Sequence, residues 1–247
     1  MKAYVIHIPT SEVSLNSAHR LIETAKYDGK INVELWDGVH RDGSFRKMYN
    51  KGLRLRNSNQ WESNSYLDCI VGCFMSHFSL WEESVRTNER IMVLEHDARF
   101  ISEYKDVEFD GILNIGRPLW GNWFVHKEDG IHIRDLSKCT KPHYDDAVIG
   151  KPKYCQCERN WLIGAHSYIV SPTTAASLIS FAKENGIMPA DVFLQTEHFP
   201  IADYLPYCAW QYQYFSMIQK DKPGEVWWEE KIKDPWHKWK SGEDAWK

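Results

Sequence analysis

Glu95 and Asp97 are the residues of this sequence best placed to do chemistry. They close the run Arg90-Ile91-Met92-Val93-Leu94-Glu95-His96-Asp97, in which four consecutive apolar residues precede the acids. Carboxylates are hard oxygen ligands, and a pair of them suits Mg²⁺ or Mn²⁺, ions that grip a substrate diphosphate while keeping waters of their own. The chain holds three acid-x-acid triplets. Asp106-x-Glu108 and Glu108-x-Asp110 lie in a charged run with no strand before them and read as a solvated face. Only Glu95-x-Asp97 follows a buried run. Capping of the next turn or a surface ion pair is the competing reading of this pair.

The elements around the acids must hold them. Four apolar residues in a row predict a strand buried on both faces, the kind found inside a parallel sheet. If the backbone stays extended, Glu95 and Asp97 project to one side and His96 to the other. That side lies just beyond the carboxyl end of a central strand, where open α/β sheets bind ligands. Upstream, Ala3 to Ile8 predicts the first strand, which Pro9-Thr10-Ser11 ends. A helix follows over 17–26 with Leu21, Ile22 and Ala25 inward, then a second strand over 31–36. Strand, helix, strand opens a nucleotide-binding α/β unit. No Gly-rich phosphate fingerprint follows the first strand, which argues against NAD and P-loop sites. Asp37, ending the second strand, could face a ribose or base or simply serve the Asp37-Gly38 turn. From Leu67 the pattern is helical, with Ile70, Cys73, Phe74, Phe78, Trp81 and Val85 recurring at three- and four-residue steps. This helix carries Ser76 and His77 and feeds the strand at 91–94.

Residues 41–65 are polar and irregular, with Arg41, Arg46, Lys47, Lys51, Arg54 and Arg56, and predict a basic loop, solvated or reaching a phosphate. Ile112 to Ile115 predicts a short buried strand closed by Gly116. The stretch from there to about residue 160 reads as an excursion over the active face. Within it Cys139, His143, Cys155 and Cys157 could gather Zn²⁺, but the spacing matches no standard finger and buried free thiols are preferred. A strand region over 161–170 leads to Ser171-Pro172, an N-cap followed by proline at the first helical position, with Ala175, Leu178 and Ile179 inward and Gly186 as the stop. Asp191, in Pro189-Ala190-Asp191, then takes a loop position facing the site and is the candidate general base, with a helix cap as the plain alternative. Glu197 and His198 stand in reserve, His198 also as a third metal ligand. Tyr207 to Phe215 alternates like a late strand.

A chain of 247 residues can bury a full core, and 43% hydrophobic with 26% charged residues is ordinary for a globular domain. The net charge of −4 supplies no positive field for nucleic acid or an anionic membrane. Aromatic residues make up 14%; they suit the faces of sugars and bases but also fill cores. Six cysteines are too few for a disulfide scaffold and are expected mostly reduced. No apolar run spans a bilayer, and the first strand is too short and too soon broken for a signal peptide, so the expectation is cytoplasmic. We expect one domain over 1–220 and a tail over 221–247, carrying Trp227, Trp228, Trp236, Trp239 and Trp246, folded back on it. An acceptor platform or peripheral membrane contact are the alternatives for that tail.

Four stretches together resemble glycosyltransferase family 25, the lipopolysaccharide-type and procollagen galactosyltransferase family. Gly72-Cys73-Phe74-Met75-Ser76-His77-Phe78-Ser79-Leu80-Trp81 resembles its Gly-Cys-x-x-Ser-His-x-x-x-Trp helix, and Val93-Leu94-Glu95-His96-Asp97-Ala98 its Val-Leu-Glu-Asp-Asp-Ala metal motif. Gly164 to Ser171, with His166 inside it, is similar to the Gly-Thr-x-x-Tyr-x-Ile-Ser strand, and Pro189-Ala190-Asp191 to Pro-x-Asp. Order and approximate spacing agree over residues 3–195. His96 replaces the middle acid of the metal motif. The family's N-terminal Asn-Leu-Asp-Arg stands here as Ile6-His7-Ile8-Pro9-Thr10-Ser11, so Ile8 and Pro9 take the donor-facing positions with little of the family's base and ribose chemistry.

The resemblance implies an α/β fold of GT-A type, a Rossmann-like mixed sheet flanked by helices in a single domain. It also implies a nucleotide-sugar donor, commonly a UDP-sugar, a divalent metal such as Mn²⁺ or Mg²⁺, and inversion at the anomeric carbon. On that reading Asp97, with Glu95 directly or through water, holds the metal. Ile8, Pro9, Asp37, Glu95 and His166 face the donor, Asp191 is the base, and His77 positions the diphosphate or is a buried, hydrogen-bonded histidine. The acceptor would be a hydroxyl of a glycan, lipopolysaccharide or protein. Two rivals stay open, a glycan-binding domain without chemistry and a transferase acting on nucleic acid bases, the latter supported only by the basic run.

Overall fold

The computed structural model describes residues 1–56, 66–117, 130–136, 162 and 165–211. The chain opens with strand β1 (Lys2–His7), helix α1 (Glu12–Thr24), one π-helical turn (Ala25–Gly29) and strand β2 (Glu34–Asp37). Helix α2 (Arg41–Asn50) and the long α3 (Leu67–Thr87) precede β3 (Ile91–Glu95) and β4 (Ala98–Phe100). Strands β5 (Ile112–Asn114), β6 (Gly116–Arg117), β7 (His132–Asp135) and β8 (Ser167–Val170) follow. Helices α4 (Pro172–Asn185) and α5 (Ala190–Phe193) and strands β9 (Ile201–Leu205) and β10 (Ala209–Gln211) complete the described chain.

Seven strands form one sheet in the order β2-β1-β3-β8-β5-β9-β7. β1 is parallel to both β2 and β3, and β5 to β9, while β8 runs antiparallel to β3 and β5. The sheet is therefore mixed, as the resemblance implies, and β3 has one parallel and one antiparallel neighbour rather than the all-parallel setting its apolar run suggests. From β1 the chain moves out to β2 and then returns to the other side of β1 for β3. The crevice between the carboxyl ends of β1 and β3 is thus a topological switch point.

The β3 sequence is uniformly apolar because both faces of the sheet are covered. Ile91 and Val93 join the core under α2, α3, α4 and α5, whereas Met92 and Leu94 join the opposite core with Ala18 and Leu21 of α1. In the first core Phe74 and Trp81 of α3 meet Phe193 of α5 at ring centroid separations of 4.9 and 5.7 Å. Burying each such side chain is worth about 1.5–3 kcal/mol. Much of the aromatic content of the described chain is accordingly core. Val85, expected inward, is exposed at the end of α3.

Several boundaries shift. Helix α1 starts at Glu12 because Ser11 Oγ accepts the Ser14 N–H, and Ser14 Oγ in turn accepts the Ile8 N–H. Residues 41–50, expected as loop, form α2, a helix with few inward apolar residues, such as Met48, that packs on α3. Two cations of this stretch form surface pairs with acids of α3, Arg41 with Asp68 at 2.8 Å and Lys51, just past the end of α2, with Glu82 at 2.7 Å. The excursion after Gly116 contains the edge strand β7, which pairs with β9. Helix α4 begins and ends as expected, with Ser171 Oγ accepting the Thr174 N–H and Gly186 at φ +84°. The four zinc candidates from Cys139 to Cys157 and the tail from 221 lie outside the described residues; Cys69, Cys73 and Cys208 are free thiols. Among the described residues no helix is long and apolar enough to cross a membrane.

Candidate active site at the carboxyl ends of β1 and β3

Helix α3 is docked onto the strand ends by Gly72 and Ser76. Ser76 Oγ accepts the Val39 N–H at 2.8 Å and donates to the Gly72 carbonyl, and a Cβ on Gly72 would come within 2.6 Å of the Val39 carbonyl oxygen. These two motif residues act in packing. Cys73 and His77, one turn apart on the same helix, face Glu95 instead.

Glu95 continues the face of Ile91 and Val93 and so points at α3. Its Oε1 lies 3.1 Å from His77 Nε2 and 3.8 Å from Cys73 Sγ. His77 Nδ1 lies 2.9 Å from Tyr168 Oη, which also accepts the Trp81 Nε1–H at 2.9 Å. Since an indole nitrogen only donates, the Tyr168 proton is left for His77 Nδ1, and the His77 proton then sits on Nε2, aimed at Glu95. The opposite tautomer would leave the Tyr168 hydroxyl proton buried with no acceptor, a cost of about 1–3 kcal/mol. Cys73, His77 and Glu95 bring one ligand atom each within 4.8 Å, a set with the softness for Zn²⁺. In the Nε2–H tautomer, however, His77 has no lone pair there for a metal. Burial pushes the Glu95 carboxyl upward, but the His77 hydrogen bond and the His77, His166 and His96 rings outweigh it and hold it below the usual range.

Asp97 reaches the site differently from the expected pleat. The extended backbone ends at Glu95, His96 and Asp97 form a turn, and β4 begins at Ala98. The two acids are still neighbours. Burial, and then the charge of Glu95, push the Asp97 carboxyl up to about 8. Asp97 is 7% exposed; its Oδ2 accepts the Gln211 Nε2–H at 2.7 Å, while its Oδ1 has no hydrogen-bond partner among the described residues. His7 Nδ1, His96 Nε2 and Gln211 Oε1 are likewise buried without partners. Such atoms call for a water or ion. The site fits a divalent cation: a second carboxylate oxygen stands ready at Asp97, and a cation between the acids would relieve the repulsion that keeps Asp97 protonated.

The other expected residues distribute as follows. His7, ending β1, is buried with Nε2 3.2 Å from Asp37 Oδ1, so Asp37 lines the same strand ends from β2. Ile8 is engaged through its backbone, accepting the Ser11 N–H at 2.9 Å, and Pro9 is exposed beside it. The His166 carbonyl accepts the Glu95 N–H at 2.8 Å, and its ring fills the space where a Gly116 side chain would stand. Asp191 lies in the first turn of α5 rather than in a loop. Burial, opposed by the Val192 N–H and reinforced by the Glu95 charge, raises its carboxyl above the ordinary range. His198 packs against the Phe181 ring at 4.5 Å. Sequence reasoning missed Gln211, for which no local signal exists, and the roles of Tyr168 and Trp81, both of which sit inside the motif-like stretches.

The family model described as glycosyltransferase family 25 (LPS biosynthesis protein) matches residues 7–194. The chain is 25% identical over 196 residues to procollagen galactosyltransferase 2 of Homo sapiens and to that of Mus musculus, covering 76% of this chain and 29% of each relative. A glycosyltransferase 25 family member of Anopheles gambiae is 31% identical over 83 residues, 32% of this chain and 14% of the relative. The chain thus spans less than a third of the length of the curated relatives it matches.

Proposed function

The chain belongs to glycosyltransferase family 25, and from that membership we propose that it is a metal-dependent, inverting hexosyltransferase, taking the sugar from UDP-glucose or UDP-galactose to a hydroxyl of a glycan, lipopolysaccharide or protein. The observation that carries the reading is the concentration of buried polar atoms without partners among the described residues, Asp97 Oδ1 among them, beside Glu95 at the switch point between β1 and β3. The names of the relatives support galactose as the hexose and a protein as one class of acceptor.

Asp97 and Glu95 would hold Mn²⁺ or Mg²⁺, which when bound neutralises charge on the departing diphosphate. His77 and Cys73 hold Glu95 Oε1, leaving Oε2 for the site. Asp191, within the field of Glu95 and His77, takes the proton of the acceptor hydroxyl as its oxygen bonds to the anomeric carbon and the sugar–phosphate bond breaks on the opposite side. A carboxyl raised by burial is a stronger base for that task. Ile8, Pro9, Asp37 and His166 complete the donor side.

Thermal melting with UDP, GDP, CMP or NAD, each with and without Mn²⁺, tests this. A ligand at 100 times its dissociation constant stabilises by about 2.7 kcal/mol. The expected result is a shift with UDP and Mn²⁺ together that Asp97→Asn erases. A wild-type protein indifferent to every nucleotide overturns the reading.

A further inference from the structure

The residue that holds Asp97 lies outside the stretch that matches the family. The match ends at residue 194, and Gln211 arrives on β10, the middle strand of the small sheet β4-β10-β6. The antiparallel register with β4 sets Ala209 opposite Phe100, and Gln211 opposite Ala98, the residue after Asp97. Directly opposed residues share a face, so Gln211 continues a face that Ala98, Phe100 and Ala209 keep buried and apolar. Packing alone asks for another apolar side chain there, since a buried amide costs free energy unless its polar atoms are paired.

Gln211 pairs only half of its amide. Nε2 donates to Asp97 Oδ2 at 2.7 Å, whereas Oε1 is buried with no hydrogen-bond partner among the described residues. A carboxylate can only accept, so Asp97 in the ionised form that ligates metals fixes the amide with its nitrogen toward the acid and its oxygen unused. Asp97 shows the matching asymmetry: Oδ2 is held, and Oδ1 has no partner among the described residues. One hydrogen bond orients both side chains, and each keeps one spare acceptor. Neither acceptor can satisfy the other. A divalent cation would take the carboxylate oxygen, and the waters such an ion keeps would donate to the amide oxygen.

We propose that Gln211 is a positioning residue of the cation site, holding Asp97 by Oδ2 so that Oδ1 is left for Mg²⁺ or Mn²⁺, and accepting through Oε1 from the waters of that ion. This rests on the metal reading above. Groups that hydrogen-bond a ligating carboxylate typically change metal affinity about 10–100-fold when removed. Here that group comes from a strand beyond the family motifs.

The test is Mn²⁺ binding to the full chain, read as free Mn²⁺ by electron paramagnetic resonance, without nucleotide and with UDP. The wild type is compared with Gln211→Met, which keeps the length and the apolar stem, and Gln211→Asn, which keeps the amide one methylene short; melting midpoints control for folding. Gln211→Met should weaken Mn²⁺ about tenfold or more, and Gln211→Asn should recover little of the loss, because its amide falls short of Asp97. In nitrogen-15 NMR the Gln211 side-chain amide, identified as the signal pair missing from Gln211→Met, should shift when Mg²⁺ is added to the wild type and stay in place in Asp97→Asn. Unchanged Mn²⁺ affinity in both Gln211 variants, or an amide signal indifferent to Mg²⁺, overturns the positioning role while the metal reading stands. A wild-type chain that binds no Mn²⁺, alone or with UDP, overturns both.

Discussion

His77 Nε2 stands 3.1 Å from Glu95 Oε1, and the proton between them belongs to the histidine. Its place is dictated two residues away, by an indole that can only donate to Tyr168. Nitrogen-15 NMR of the histidines should show His77 protonated at Nε2, and Tyr168→Phe should keep that preference, because the ionised Glu95 carboxylate can only accept. The same variant strands the Trp81 N–H and His77 Nδ1 in the core and should cost about 1–3 kcal/mol in urea denaturation. A wild-type His77 protonated at Nδ1 would refute the assignment and return Cys73, His77 and Glu95 to candidacy as a zinc site.

Stability without metal should fall as pH rises. Asp97 is held at about 8 in the folded chain, against about 3.9 when unfolded. Between those values the folded state binds more protons than the unfolded one, so its stability is full below about pH 4 and is lost as pH climbs through 8. Denaturation midpoints in chelator across this window should decline, and Asp97→Asn should flatten the decline. Mn²⁺ should reverse it, because deprotonated Asp97 is the form that ligates. A rising profile in chelator would count against the buried acid pair.

Asp191→Asn should lower kcat by about 10²–10⁴-fold, the range for loss of a general base, while the UDP and Mn²⁺ melting shift persists. Loss of the shift together with activity would place Asp191 in binding.

Asp203→Ala should destabilise the fold by about 3–5 kcal/mol. Asp203 is 0% exposed and accepts from Arg134 at 2.6 Å and Asn114 at 2.8 Å, tying β9 to both β7 and β5. Removing it takes this counter-charge from the half-buried Arg134 guanidinium and an acceptor from Asn114. Chemical denaturation reads the loss, and a cost under 1 kcal/mol would show the pair to be dispensable.

The sequence made β1, β3, α3 and α4 legible because each carries a periodic apolar face or a proper cap: Ile91 to Leu94 for a doubly covered strand, Phe74 and Trp81 at helical steps, Ser171 and Gly186 as start and stop. Helix α2 was hidden because its stability comes from packing on α3, with Met48 and Ser44 the only fully buried residues among ten. At the site, Glu95 and His77 were readable from their motifs, but the Asp97 posture was not. Pleat alternation stops at Glu95, and the partner of Asp97 is a glutamine 114 residues further on.

That glutamine has a bearing on how the protein is made. β10 is inserted between β4 and β6, so it joins two strands synthesised long before it. During synthesis the Glu95 backbone awaits the His166 carbonyl, and the Asp97 Oδ2 hydrogen bond forms only after residue 211 has left the exit tunnel. The acid pair is therefore finished late in translation, and a chain stalled short of β10 carries the motif without the site.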